Sequence, residues 1–188
     1  MLHTADRRAQ RLTVRLDDLS YSVEILRSTL CPPEAPRLIM ACYNSSPAGV
    51  EITRVAIESI LRNTAGAFEL WLVDNASPAE NRDWLREIDG VNVVLNLTPP
   101  VPTSQRGWRA RLGLRRVHPD EQLSAGSYAN AVGLELGLRC LPPETHQVCV
   151  LHNDVFAMAP HWLAYLQSRM TAQVRVAAIS RDEHPERI

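Results

Sequence analysis

The sequence predicts an α/β domain with a mainly parallel sheet, and three observations carry that prediction. Short apolar runs, Arg37 to Cys42, Phe68 to Val73, Val91 to Leu95 and His146 to Leu151, alternate with segments of helical periodicity, as strand–helix–strand units do. Each run gives way to polar residues: Tyr43-Asn44, Asp74-Asn75, Asn96 and Asn153-Asp154. In a parallel sheet such positions share the carboxyl edge, where open α/β folds bind ligands. The composition, 45% hydrophobic and 22% charged over 188 residues, is that of a folded domain with a core.

In chain order, Arg11 to Leu16 alternates weakly and reads as a short edge strand. Leu19, Val23, Leu26 and Leu30 then fall at helical spacing behind Asp17, and Cys31-Pro32-Pro33 would end that helix. Residues 1–35 are therefore expected to form an appendage of one strand and one helix, packed on a main domain of residues 36–188. After the first core strand, Ile52, Val55, Ala56, Ser59 and Ile60 mark one face of an amphipathic helix. Phe68 to Val73 is the next strand. A helix near Ala79 carries Trp84, Leu85 and Ile88 and stops at Asp89-Gly90, before the strand Val91 to Leu95.

An insertion at about residues 97–123 is rich in Pro and Arg, with Arg106, Arg109, Arg111, Arg115 and Arg116. It reads as a basic flap over a diphosphate or as a solvated loop. Ser124 to Arg139 returns to helix, interrupted by Gly126, Gly133 and Gly137. Each glycine costs a helix about 1 kcal/mol against Ala, so they suit places where a ligand or a strand approaches closely. The strand His146 to Leu151 follows. Pro160 then opens a helix bearing Trp162, Leu163, Leu166 and Met170, and Val174 to Ile179 reads as a further strand.

A formal net charge of −1 gives no support for a nucleic-acid partner held by bulk electrostatics. No apolar run is long enough to span a membrane, and no apolar leader opens the chain, so the expected compartment is the cytoplasm. Cys31, Cys42, Cys140 and Cys149 lack Cys-x-x-Cys spacing and read as reduced thiols. Asn-x-Ser/Thr triplets begin at Asn44, Asn75 and Asn96, each directly after a strand, and read as chance matches to the glycosylation pattern.

Phosphate-binding Gly-x-Gly-x-x-Gly and P-loop motifs are absent, as is a Gly-x-Ser-x-Gly nucleophile elbow. What remains is the set of polar strand ends. Asp74 can accept hydrogen bonds from a base N–H or a ribose hydroxyl, or can, like Ser77, cap the next helix. Asn130, one turn from Gly126, can point out of a helix start. Asp154 can supply oxygen to Mg²⁺ or Mn²⁺ on a diphosphate, and His152 a nitrogen suited to Mn²⁺.

These residues resemble glycosyltransferase family 2, enzymes of the GT-A fold that use sugar nucleotides. Leu38 to Asn44 resembles the opening strand and its nucleotide-side loop. Leu72-Val73-Asp74-Asn75-Ala76-Ser77 resembles the Val-Asp-Asn-Ala-Ser segment. Gly126 to Gly133, with Ala129-Asn130, resembles the glycine-rich helix start, and Leu151-His152-Asn153-Asp154-Val155 the Asp-x-Asp region. The resemblance implies a GT-A-like sheet and a nucleoside-diphosphate sugar bound by Tyr43, Asn44, Asp74, Asn75, Ser77, Asn130 and Asn153. It places Asp74 on the nucleobase and the metal, Mn²⁺ or Mg²⁺, on Asp154; His152 is added to the expected metal ligands from its own nitrogen chemistry, not from the family. The resemblance also implies inverting transfer to an acceptor that the sequence does not identify.

The sequence departs from the family at His152, where an Asp or Asn is usual, and only about thirty residues follow Asp154. The family's acceptor-binding part and general base come later, so no catalytic base is assigned here. The expectation is a fragment, a donor-binding half completed by a partner chain or missing C-terminal domain, or a catalytically incomplete binding or scaffolding relative. A nucleotidyltransferase is the third reading, lacking the glycine-rich basic loop such enzymes carry after the first strand.

Overall fold

A computed structural model describes residues 9–99, 119–174, 176 and 177, without the side chains of 119–127. Six strands form one sheet: β1 (Gln10–Leu16), β2 (Leu19–Leu26), β3 (Arg37–Cys42), β4 (Glu69–Asn75), β5 (Val91–Asn96) and β6 (Val148–His152). Their order is β1-β2-β5-β4-β3-β6. The four strands β5-β4-β3-β6 are parallel, and the β1–β2 hairpin joins β5 antiparallel. The chain is thus an α/β fold with a mostly parallel sheet flanked by helices, as the sequence predicts. Every residue of β3, β4 and β5 is buried, as strands covered on both faces must be.

Among the described residues the helices are α1 (Pro47–Asn63), the single turn α2 (Ala79–Arg82), α3 (Pro119–Cys140) and α4 (Trp162–Ser168). Ser46 caps α1 by accepting the Gly49 N–H at 3.3 Å, with Pro47 in the first turn, where proline's missing donor is harmless. Thr53, Ala56, Ile57 and Ile60 form its buried face. Ile52 and Val55, expected on that face, are 45% and 44% exposed. The face is rotated because Thr53 turns inward and its hydroxyl donates to Asn44 Oδ1 at 2.9 Å.

Two core clusters lie on opposite faces of the sheet. One joins Leu38, Met40, Leu70 and Leu72 to α1, to Leu85 and to Leu163 of α4. The other joins Ile39, Trp71, Val73 and Val94 to Val132 and Leu136 of α3, and to Tyr21, Val23 and Ile25 of β2. Gly137 makes the close approach of α3 possible. A Cβ there would stand 2.8 Å from Val73 Cγ2 and 2.9 Å from Ile39 Cγ2. At Gly133 a Cβ would meet Ala41 Cβ at 3.3 Å. At both positions it is a strand that approaches the helix.

Three expectations are corrected. The helix expected from Leu19 to Leu30 is the strand β2. The Leu19, Val23, Leu26 spacing imitates a helical stripe, but Tyr21, Val23 and Ile25 also alternate, and pairing with both β1 and β5 decides for strand. Asp17, at φ 51°, makes the two-residue turn that closes the hairpin. The helix expected near Ala79 is only one α turn followed by a 3-10 turn, Asp83–Arg86. The helix expected from Ser124 starts earlier, at Pro119. Residues 100–118, most of the Arg/Pro-rich insertion, lie outside the described residues. The strand expected over residues 174–179 falls partly outside them, and Val174, Val176 and Ala177 are in no strand.

Among the described residues no helix is long and apolar enough to cross a membrane. All four cysteines are free. Burial raises the thiol pKa of each, that of Cys140 to about 11. Asn44, Asn75 and Asn96 are each at most 4% exposed, which removes them as glycan acceptors.

Candidate functional site

The strand order reverses between β3 and β6. β3 leads through α1 to β4 on one side, and the chain returns through α3 to β6 on the other. At such a reversal the loops after neighbouring strands diverge and leave a crevice at the carboxyl edge. A cleft of about 380 Å³ lies there, lined by Ala41, Cys42, Tyr43, Asn75, Ala129, Asn130, His152 and Asn153. Its size is within the range of small-molecule sites.

Side-chain alternation divides the expected residues between two environments. Asn75, Asn130, Tyr43, His152 and Asn153 meet at the cleft. Ala41 pairs in register with His152, so both point to the face that carries α3. Asp74, one position from Asn75, points to the opposite face with its register partner Cys42. It is fully buried and does not line the cleft.

Beneath the cleft, Asp74, Ser77, Asn44 and Thr53 form a buried polar network. Ser77 Oγ accepts the Asn44 N–H at 2.7 Å, and Asp74 Oδ2 accepts the Ser77 N–H at 3.2 Å. Ala76, at φ 63°, turns the backbone so that Ser77 meets Asp74. A non-glycine residue in that region carries strain, which concentrates at functional turns. Asp74 Oδ1 is buried without a hydrogen-bond partner, as is Arg82 Nε. Burial is the largest influence on the Asp74 carboxyl and raises its pKa. Hydrogen bonds from Ser77 and the charge of Arg82 oppose that rise. An unsatisfied buried carboxylate oxygen costs about 1–3 kcal/mol or more.

Asn75 touches the cleft, but its amide is already engaged. Oδ1 accepts Asn96 Nδ2–H at 2.8 Å, and Nδ2 donates to the Ala129 carbonyl. Asn130 is exposed at the rim and Tyr43 is 58% exposed, so both are free to rearrange around a ligand. His152 Nδ1 lies 3.4 Å from Asp154 Oδ1, with both side chains mostly exposed. Among the described residues no group of three or more His, Cys, Asp or Glu side chains is placed to hold a metal. His152 and Asp154 would supply two donors, leaving the other positions to a ligand's oxygens and water, as is usual for a metal on a diphosphate.

Sequence reasoning missed Thr53 and Arg82 as parts of this edge, and neither carries a signal in the sequence. Asn96 was placed at the edge as a polar strand end, without a role.

No protein-family model matches the chain, and neither does any curated protein or solved structure.

Proposed function

We propose that the chain is a GT-A-like domain of the family 2 glycosyltransferase type, binding a nucleoside-diphosphate sugar with Mn²⁺ or Mg²⁺ at the carboxyl edge of β3, β4 and β6. The observation that carries this reading is the cleft of about 380 Å³ at the strand-order reversal, with amide, imidazole and phenol groups on its walls. The nucleobase contact expected of Asp74 is not open in this cleft, because Asp74 is fully buried and does not line it. In this reading Asp74 instead supports the wall by accepting the Ser77 N–H. Tyr43 and Asn44 lie beside the nucleoside, with Ser77 holding the Asn44 backbone. Asn130 and Asn153 offer hydrogen bonds to sugar or phosphate oxygens. His152 and Asp154 hold the metal, whose chemistry is Lewis-acid stabilisation of the leaving diphosphate.

A second reading, a donor-binding or scaffolding module without turnover, is favoured by the cleft lining itself. No carboxylate lines the cleft among the described residues, and the imidazole that does, His152, is already given to the metal in the first reading, so no further described group there serves as the base for an acceptor hydroxyl. Calorimetric titration with UDP, GDP, dTDP and CDP, in Mn²⁺ and again in EDTA, tests both. One nucleotide is expected to bind more tightly with the metal, and Asp154→Ala should abolish that metal dependence while leaving the circular dichroism unchanged. Equal affinity in metal and EDTA would remove the metal role. Nucleotide binding without sugar transfer or release would favour the second reading.

A further inference from the structure

Two buried amides stand head to tail beneath the cleft. The Thr98 N–H donates to Asn96 Oδ1 at 2.9 Å, Asn96 Nδ2–H donates to Asn75 Oδ1 at 2.8 Å, and Asn75 Nδ2–H donates to the Ala129 carbonyl in α3. Asn96 is 0% and Asn75 4% exposed, and the two are register partners across the parallel β4–β5 pair. Each amide has one donor and one acceptor that must face a fixed partner, so neither can turn over without breaking the chain of bonds. The last acceptor, Ala129, belongs with Asn130 to the α3 wall of the cleft. The first donor, Thr98, is tied to the hairpin, because Thr98 Oγ1 accepts the Ser22 N–H at 3.0 Å.

From this geometry we infer that Asn96 and Asn75 are positioning residues: an amide relay from β5 that fixes the α3 wall, and so Asn130, over the cleft. Asn96 is not among the residues lining the cleft and acts only through Asn75. Asn75, which the sequence presents as a ligand-binding residue, spends both ends of its amide on the relay. The inference rests on the reading of the cleft as a nucleotide site, and its test separates the two.

Asn96→Asp is the informative variant, because it keeps the volume and exchanges one donor for an acceptor. With the new carboxyl ionised, no proton faces Asn75 Oδ1. The Asn75 amide must then turn its N–H₂ towards β5, which releases the Ala129 carbonyl. With the carboxyl protonated, its O–H replaces the lost donor and the relay reforms. Hydrogen exchange of amides 128–134, followed by mass spectrometry across a pH series and corrected for intrinsic rates, reads this directly. Protection of that segment should match wild type at the acid end and fall about tenfold as pH rises, while β3 and β4 stay unchanged. The affinity for the nucleotide that binds best should fall in parallel, also about tenfold.

Asn96→Ala should lose protection at every pH, which guards against a carboxyl that stays protonated throughout. The inference is overturned if neither variant changes protection of 128–134, or if the loss in Asn96→Asp does not depend on pH. If wild-type protein binds none of UDP, GDP, dTDP and CDP, the nucleotide reading fails, and the exchange data still decide whether the relay exists.

Discussion

The amino edge of the sheet, opposite the cleft, carries a buried charge pair whose loss should be costly. Glu69 and Arg37 are each about 1% exposed, with Glu69 Oε1 3.3 Å from Arg37 NH2. Glu69 also accepts the Cys31 N–H at 2.6 Å, Trp71 Nε1–H at 2.8 Å and Asn92 Nδ2–H at 3.3 Å. Arg37 donates to the carbonyls of Pro32, Ala35 and Cys31, which ties the β2–β3 connection to the sheet. Glu69→Ala removes the only anion beside that guanidinium in the described structure and strands the Trp71 donor. Breaking a buried pair in this way costs about 3–5 kcal/mol. For a chain of this length each kcal/mol is worth roughly 2–4 °C, so the melting temperature should fall by about 6–20 °C. Urea unfolding followed by tryptophan fluorescence measures the loss, and an unchanged m-value would keep the comparison two-state. Glu69→Gln keeps the volume and one acceptor oxygen, and should cost less. A loss below about 1 kcal/mol in Glu69→Ala would refute this account of the pair.

Two further perturbations have defined signs. Because burial raises the Asp74 carboxyl pKa in the folded state, the fold binds that proton more tightly than the unfolded chain does. Its contribution to stability is complete below the ordinary Asp range and is lost as pH rises through the folded value. Asp74→Asn should therefore flatten the decline in stability above about pH 4, measured by urea unfolding across pH. At Gly137, Ala gains about 1 kcal/mol of helix propensity but drives a methyl group to 2.8 Å from Val73 Cγ2. Overpacking of this kind costs about 1–3 kcal/mol, so Gly137→Ala should lower the urea midpoint rather than raise it.

Much of the fold was legible because its strongest signals are local. The runs in β3, β4 and β5 are apolar along nearly their whole length because helices or the hairpin cover both faces, and no helical period fits them. β2 was misread because Leu19, Val23 and Leu26 satisfy a helical spacing while Tyr21, Val23 and Ile25 satisfy a strand spacing. Pairing with β5, some seventy residues away in sequence, decides between them, and single-sequence periodicity contains no term for it. The site was legible as an edge and not as a surface. A parallel sheet brings the ends of β3, β4 and β6 together whatever their order, so Tyr43, Asn75, His152 and Asn153 converge as expected. Which face each residue takes depends on alternation. Asp74 and Asn75 are neighbours in sequence and point to opposite sides, one into a sealed network and the other into the cleft. The turn of Thr53 towards Asn44 and the engagement of both ends of the Asn75 amide arise from tertiary packing that the sequence does not display.

The central claim is that the reversal point between β3 and β6 is where the ligand sits. Hydrogen exchange of the wild-type chain, with and without the best-binding nucleoside diphosphate in Mn²⁺, tests it most directly. The account predicts added protection confined to the carboxyl edge, at residues 43–45, 75–77, 129–133 and 152–154, with the amino edge around Arg37 and Glu69 unchanged. Protection centred instead on the smaller cavity between the β1–β2 turn and α3, lined by Asp17, Tyr21 and Glu135, or no change with any nucleotide, would contradict it.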